Sequence, residues 1–183
     1  MLKRVIFLFT VSFAVSLFSG CSPHSSKIHV RADKQITEDN SFEVHVFGVN
    51  PTEKKRVLNM SMTEYWQPGS QMMRAYENRR VVLYFGKEEQ RSFVISKNNF
   101  EKQWQEWQRI NASDIVILAD MPINPESPFQ DNYGSEDIRR LCAPFKPQCW
   151  EFGRVEIEIS SGSGIIATNF KPEGGMFCDC EIE

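Results

Sequence analysis

Histidine is scarce in this sequence of 183 residues: there are three, His24, His29 and His45. A Ser/His/Asp triad needs a histidine held between a nucleophile and a carboxylate. His24 lies in a polar stretch, and His29 and His45 lie in strand-like patterns, so no triad is suggested. There is no glycine-rich phosphate loop, no C-x-x-C redox pair, no internal repeat and no low-complexity block. No apolar run reaches the ~20 residues that a spanning helix needs. Nor is there an excess of positive charge. With 21 Lys+Arg against 24 Asp+Glu the net charge is −3, which argues against binding to nucleic acid or to anionic lipid headgroups.

The N-terminus carries an address. Lys3 and Arg4 open it, Val5 to Leu17 is apolar apart from Thr10, Ser12 and Ser16, and Phe18-Ser19-Gly20 leads to Cys21. A basic start, a short apolar core and small residues at a cut are the layout of a secretory signal. The stretch "LFSGC" resembles the lipobox of bacterial lipoproteins, in which the cysteine receives lipid and becomes the new N-terminus. The resemblance implies lipidation, with palmitate among the chains, at Cys21. Each buried lipid CH₂ contributes about 0.8 kcal/mol, and several chains anchor stably. Ser22 rather than Asp follows the cysteine, which in such lipoproteins implies the outer membrane, facing the periplasm.

Three segments follow: a signal peptide over 1–20, the lipidated cysteine and a polar tether over 21–26, and one domain over 27–183. Loss of the leader removes Lys3 and Arg4 and leaves 19 basic against 24 acidic residues. Cys142, Cys149, Cys178 and Cys180 then remain, an even number suited to disulfides in an oxidising compartment. A Cys142–Cys149 loop is easy to close, whereas Cys178–Cys180 would be strained. Cross-pairing of the tail onto the 142–149 loop is the alternative. The C-x-C and C-x₆-C spacings are not those of zinc knuckles, and no metal or cofactor is expected.

Strand patterns recur along the domain. "KIHVRAD" (27–33) alternates, and "SFEVHVFGV" (41–49) puts Phe42, Val44 and Val46 on one face and Glu43 and His45 on the other. If these two strands pair, His29 and His45 approach each other on a solvent-side face, although no third metal ligand is evident. "NPTEKK" then breaks the strand. "RVVLYFGKE" (80–88) and "RSFVISK" (91–97) read as a hairpin. "SDIVILADMP" (113–122) reads as a central strand buried on both faces. "RVEIEIS" (154–160) and "IIATNFK" read as a final hairpin. The best helix is "NNFEKQWQEWQRI" (98–110), with a capping box from Asn98 and Glu101 and an apolar stripe of Phe100, Trp104 and Trp107. Residues 123–151 read as a long proline-rich loop containing one helical turn in "SEDIRRLC". Its acidic residues Asp131, Glu136 and Asp137 lack the ligand spacing of an EF-hand. The fold class is therefore mainly β: a single sandwich of about seven strands with one amphipathic helix and a short helical insert.

That insert, "MSMTEYWQPGSQMMRAY" (60–76), holds Tyr65, Trp66, Met72, Met73 and Arg74. Bulky side chains interrupted by Pro68-Gly69 suit either core or a recognition surface, and we expect a partner-binding surface here. The order of elements, from lipidated cysteine and tether through strands and insert to the final hairpin, resembles the outer-membrane lipoprotein of type VI secretion systems, a transthyretin-like β-sandwich. The resemblance implies a non-enzymatic tether or assembly component that grips a periplasmic protein. The alternatives are a periplasmic lipid-anchored enzyme and a small-ligand-binding lipoprotein.

Overall fold

The computed structural model describes residues 26–87, 90–121, 137–146 and 149–169. They form a mainly β sandwich of two four-stranded sheets, with five short α-helices. The leader, Cys21, Asp131, Glu136, Cys178 and Cys180 lie outside the described residues.

The first sheet has the order β4-β1-β7-β8, formed by β1 (Lys27–Ala32), β4 (Ser92–Ser96), β7 (Arg154–Ser160) and β8 (Gly164–Ala167). β1 runs parallel to β7, with Lys27 opposite Arg154, and antiparallel to β4. The expected β7–β8 hairpin is present. The second sheet has the order β3-β2-β5-β6, formed by β2 (Phe42–Val49), β3 (Val81–Phe85), β5 (Asp114–Ala119) and β6 (Arg140–Pro144), all antiparallel. The expected β3–β4 hairpin does not form, because the two strands sit in different sheets. The connection over 86–91 is longer than a tight two-residue turn needs. β3 is held by β2, with Phe85 stacked on Phe42 at 5.5 Å.

Alternating residues from both sheets meet in the interior: Ile28, Val30, Val44, Val46, Leu83, Phe85, Ile115, Ile117, Ile157 and Ile159 are all buried there. α5 (Glu101–Arg109) adds Trp104 and Trp107 to this core, as its stripe predicts. Trp107 sits against Gly48, where an added Cβ would lie 2.8 Å from its Cγ. Its indole N–H donates to the carbonyl of Arg79 at 2.7 Å. The capping box expected from Asn98 is not made. Phe100 occupies the cap position without a side-chain bond, and Asn99 instead accepts from Ser96 N at 2.7 Å.

A second apolar layer covers the outer face of the β3-β2-β5-β6 sheet. Phe47, Val49, Val116, Leu118 and Cys142 point outward into Val57, Met60, Met62, Tyr65 and Tyr76. α2 (Pro51–Leu58), α3 (Met62–Trp66) and α4 (Gln71–Ala75) build it. "NPTE" does more than end a strand: Asn50 accepts from the N–H groups of Thr52 and Glu53, and Glu53 accepts from Asn50 N. With Pro51 in the first turn, this is a complete helix start. Arg140 of β6 donates to the carbonyls of Val57 and Met60 at 2.8 and 2.9 Å, tying the end of α2 and the turn after it to the sheet. β6 and α1 (Lys34–Asp39) are both absent from the sequence expectation. Of "SEDIRRLC", the described residues from Asp137 onward make a turn and then the strand that begins at Arg140, in place of the expected helical turn.

Candidate functional site

The partner-binding residues expected from the sequence divide by depth. Tyr65 is fully buried, so it belongs to the outer apolar layer and not to a recognition surface. Trp66, Met72 and Met73 are half-buried against that layer, and Arg74 is exposed. Each short helix is capped by a serine: Ser61 accepts from Glu64 N and Ser70 from Met73 N. The Pro68-Gly69 break lets the chain turn between the helices, with Gly69 at φ 79°. The insert thus presents Trp66, Met72, Met73 and Arg74 on its surface and spends Tyr65 on packing.

His45 lies beneath α3. It is fully buried, not solvent-facing as its strand position suggests, because the helical layer covers that face of β2. One ring nitrogen, Nδ1, is 2.7 Å from the Tyr65 hydroxyl, and Nε2 contacts the Glu43 carboxylate. The Trp66 ring lies 4.5 Å from the imidazole. Burial lowers the His45 pKa to about 4, against the opposing pull of the Glu43 hydrogen bond and with Arg80 nearby pushing the same way as burial. Burial pushes the Tyr65 hydroxyl pKa up. Trp66 Nε1 and Arg80 Nε are buried without a hydrogen-bond partner among the described residues. Tyr65 closes one end of the network from solvent, and Glu43, a third exposed, opens the other.

Glu43 also lines a cleft of about 350 Å³ with Ser41, Phe42, Tyr84, Phe85 and Asp120. Burial raises the Asp120 pKa, and the neighbouring Glu43 adds to the rise while Arg139 opposes it. Glu43, Arg80 and Asp120 were not among the sequence candidates. The available signal was the i, i+2 spacing of Glu43 and His45, which puts both on one face of β2 with Phe47 and Val49.

The other candidates separate. His29 is in the opposite sheet from His45, 3.6 Å from a Glu156 oxygen, so the two histidines are not brought together. Asp137 is buried in a bidentate pair with Arg139, its Oδ1 accepting from Nε at 3.0 Å and its Oδ2 from Nη2 at 2.7 Å. This ties it to structure and not to a calcium loop. Cys142 faces the outer layer and Cys149 the sandwich interior. The two lie on opposite sides of the β3-β2-β5-β6 sheet, which disfavours a Cys142–Cys149 bridge. Among the described residues no group of three or more His, Cys, Asp or Glu side chains is placed to hold a metal ion, and no helix is long and apolar enough to cross a membrane.

No protein-family model and no curated protein matches the chain. Solved structures similar in backbone include two from type VI secretion systems. One is the C-terminal domain of the T6SS protein TssM from EAEC, at 9% identity and TM-score 0.49, covering 79% of this chain and 100% of that one. The other is Serratia marcescens Lip, a membrane-bound component of the system, at 11% identity and TM-score 0.46, covering 80% of this chain and 98% of that one.

Proposed function

We propose that this protein is a non-enzymatic lipoprotein of the outer membrane, held by lipid on Cys21 and binding a periplasmic protein through the surface of α3 and α4. The observation that carries the reading is the continuity of anchor and fold. Five residues, four of them polar, separate Cys21 from Lys27, the first residue of β1, and β1 is hydrogen-bonded on both sides within its sheet. Pull on the lipid is therefore passed directly into the sandwich. The binding surface is Trp66, Met72 and Met73 with Arg74 at the rim. Interface hot spots favour an aromatic anchor and arginine, and methionine adapts its shape to a partner. The order of elements supports a place in a type VI secretion membrane complex, with the periplasmic part of an inner-membrane component as the partner.

Changing Cys21 to Ser should move the protein from the outer-membrane fraction to the soluble periplasm. A variant that stays with washed outer membranes contradicts the anchor.

The cleft at Ser41, Glu43, Tyr84 and Asp120 favours a second reading, a small-ligand-binding lipoprotein. Two carboxylates beside an aromatic wall suit a cationic ligand. Calorimetry with a polyamine tests it: heat that vanishes in Asp120→Asn supports this reading, and no heat counts against it.

A further inference from the structure

The Glu151-Phe152-Gly153 turn spends an unusual residue on an unusual backbone. Phe152 has φ 55° and Gly153 φ 67°. Left-handed backbone suits glycine, and a bulky residue there is an outlier whose presence asks for a reason. Packing is not that reason, since Phe152 is 81% exposed. The turn projects a phenyl ring away from the domain at a position where glycine would cost less.

The position of the ring is informative. Gly153 immediately precedes Arg154, which pairs with Lys27, and it lines a small crevice with Ser26, Lys27, Phe145 and Lys146. Ser96 also pairs with Lys27, which brings Lys97 to the same end. Phe152 therefore stands where the chain from Cys21 enters the fold. Cys21 to Lys27 spans at most about 20 Å when fully extended, so an anchored domain cannot carry this end far from the bilayer. Lys27, Lys97 and Arg154 are exposed and Lys146 half-exposed. Glu151 and Glu101 are the exposed carboxylates nearest in the chain, and Arg154 is shared with Glu156 at 2.8 Å. Among the described residues, four basic side chains thus gather around an exposed aromatic. A ring with basic neighbours is the composition of a membrane-interface contact.

We infer that this end of the sandwich docks on the lipid surface, with Phe152 entering the headgroup layer and Lys27, Lys97, Lys146 and Arg154 facing lipid phosphates. The inference rests on the Cys21 anchor. Docking fixes the domain's orientation and leaves the α3–α4 surface, on the outer side of the other sheet, open to a protein.

Hydrogen exchange tests this with the intact lipoprotein in vesicles of phosphatidylethanolamine and phosphatidylglycerol, compared with soluble Cys21→Ser protein. Peptides covering 150–154 and 97–99 should exchange several-fold more slowly on vesicles, with no change over 62–75. Phe152→Gly combined with Lys97→Glu should abolish that protection without lowering the melting temperature, because glycine suits the left-handed backbone. Equal exchange in both states, protection that survives the double variant, or protection over 62–75 instead would overturn the docking. Intact mass reports separately on acylation. If Cys21 proves unacylated, the anchor reading fails by itself, and coupling Cys21 to a maleimide-bearing lipid still tests the docking.

Discussion

His45 makes folding stability depend on pH in a definite direction. The side chain is fully buried between Glu43, Tyr65 and Trp66, and its pKa falls from 6.5 to about 4, chiefly through burial. A folded-state pKa below the unfolded one means that the unfolded chain takes up the proton first as pH falls. The contribution of neutral His45 is complete above about pH 6.5 and is lost between there and about pH 4. A tenfold difference in proton affinity between the folded and unfolded chains is worth about 1.4 kcal/mol, so the loss is about 3 kcal/mol across the window. Urea melts followed by circular dichroism at about pH 7 and about pH 4.5 measure it. His45→Gln, which keeps a polar side chain beside Tyr65 but does not titrate, should lower stability near neutral pH and flatten its pH dependence by about 2–3 kcal/mol. Equal losses on acidification in the two proteins would refute the assignment and place the titration elsewhere.

Gly48→Ala should cost about 2 kcal/mol or more, because the new Cβ meets Trp107 Cγ at 2.8 Å and Ala112 Cβ at 2.9 Å; a thermal melt matching the wild type would show that α5 shifts freely. Trp66→Ala and Met72→Asp should leave a cooperative fold while weakening capture of the periplasmic partner, as half-buried positions allow; melts and pull-downs separate the two effects. Cys149 is expected in a disulfide with Cys178 or Cys180, since it faces the sandwich interior while Cys142 faces the outer layer. Non-reducing peptide mapping that links Cys149 to Cys142 would contradict this.

Much of the sandwich was legible because strand periodicity reports which faces are buried. β5 reads as apolar from Ile115 to Ala119 and is buried at every position. That pattern already required a layer on each side of its sheet, and the outer layer is the helical insert. The same signal lay in β2, where Phe47 and Val49 share a face with Glu43 and His45. Reading that face as solvent-side misplaced His45, and with it the polar network below Tyr65. Strand pairing was less legible. β3 and β4 are close in sequence but have separate partners, a choice made by packing across the sandwich and not by the residues between them. β6 was hidden because "RLCAP" is short and ends in proline, which an edge strand tolerates. "KQITED" lacked an apolar stripe, and its helix depends on Asp33 accepting from Ile36 N at 2.8 Å. Phe152 carried no signal at all in the sequence, since only the backbone reveals its left-handed geometry.

The central claim is that an anchored sandwich presents α3 and α4 to a periplasmic protein. A photo-crosslinking amino acid placed at Met72 tests it most directly, in cells that retain Cys21 and its lipid. The account predicts one dominant adduct with an envelope protein, reduced by Trp66→Ala and absent when the probe is moved to Ile166 on the outer face of the opposite sheet. An adduct of equal strength from Ile166, or none from Met72 while the protein sits in the outer membrane, would contradict it.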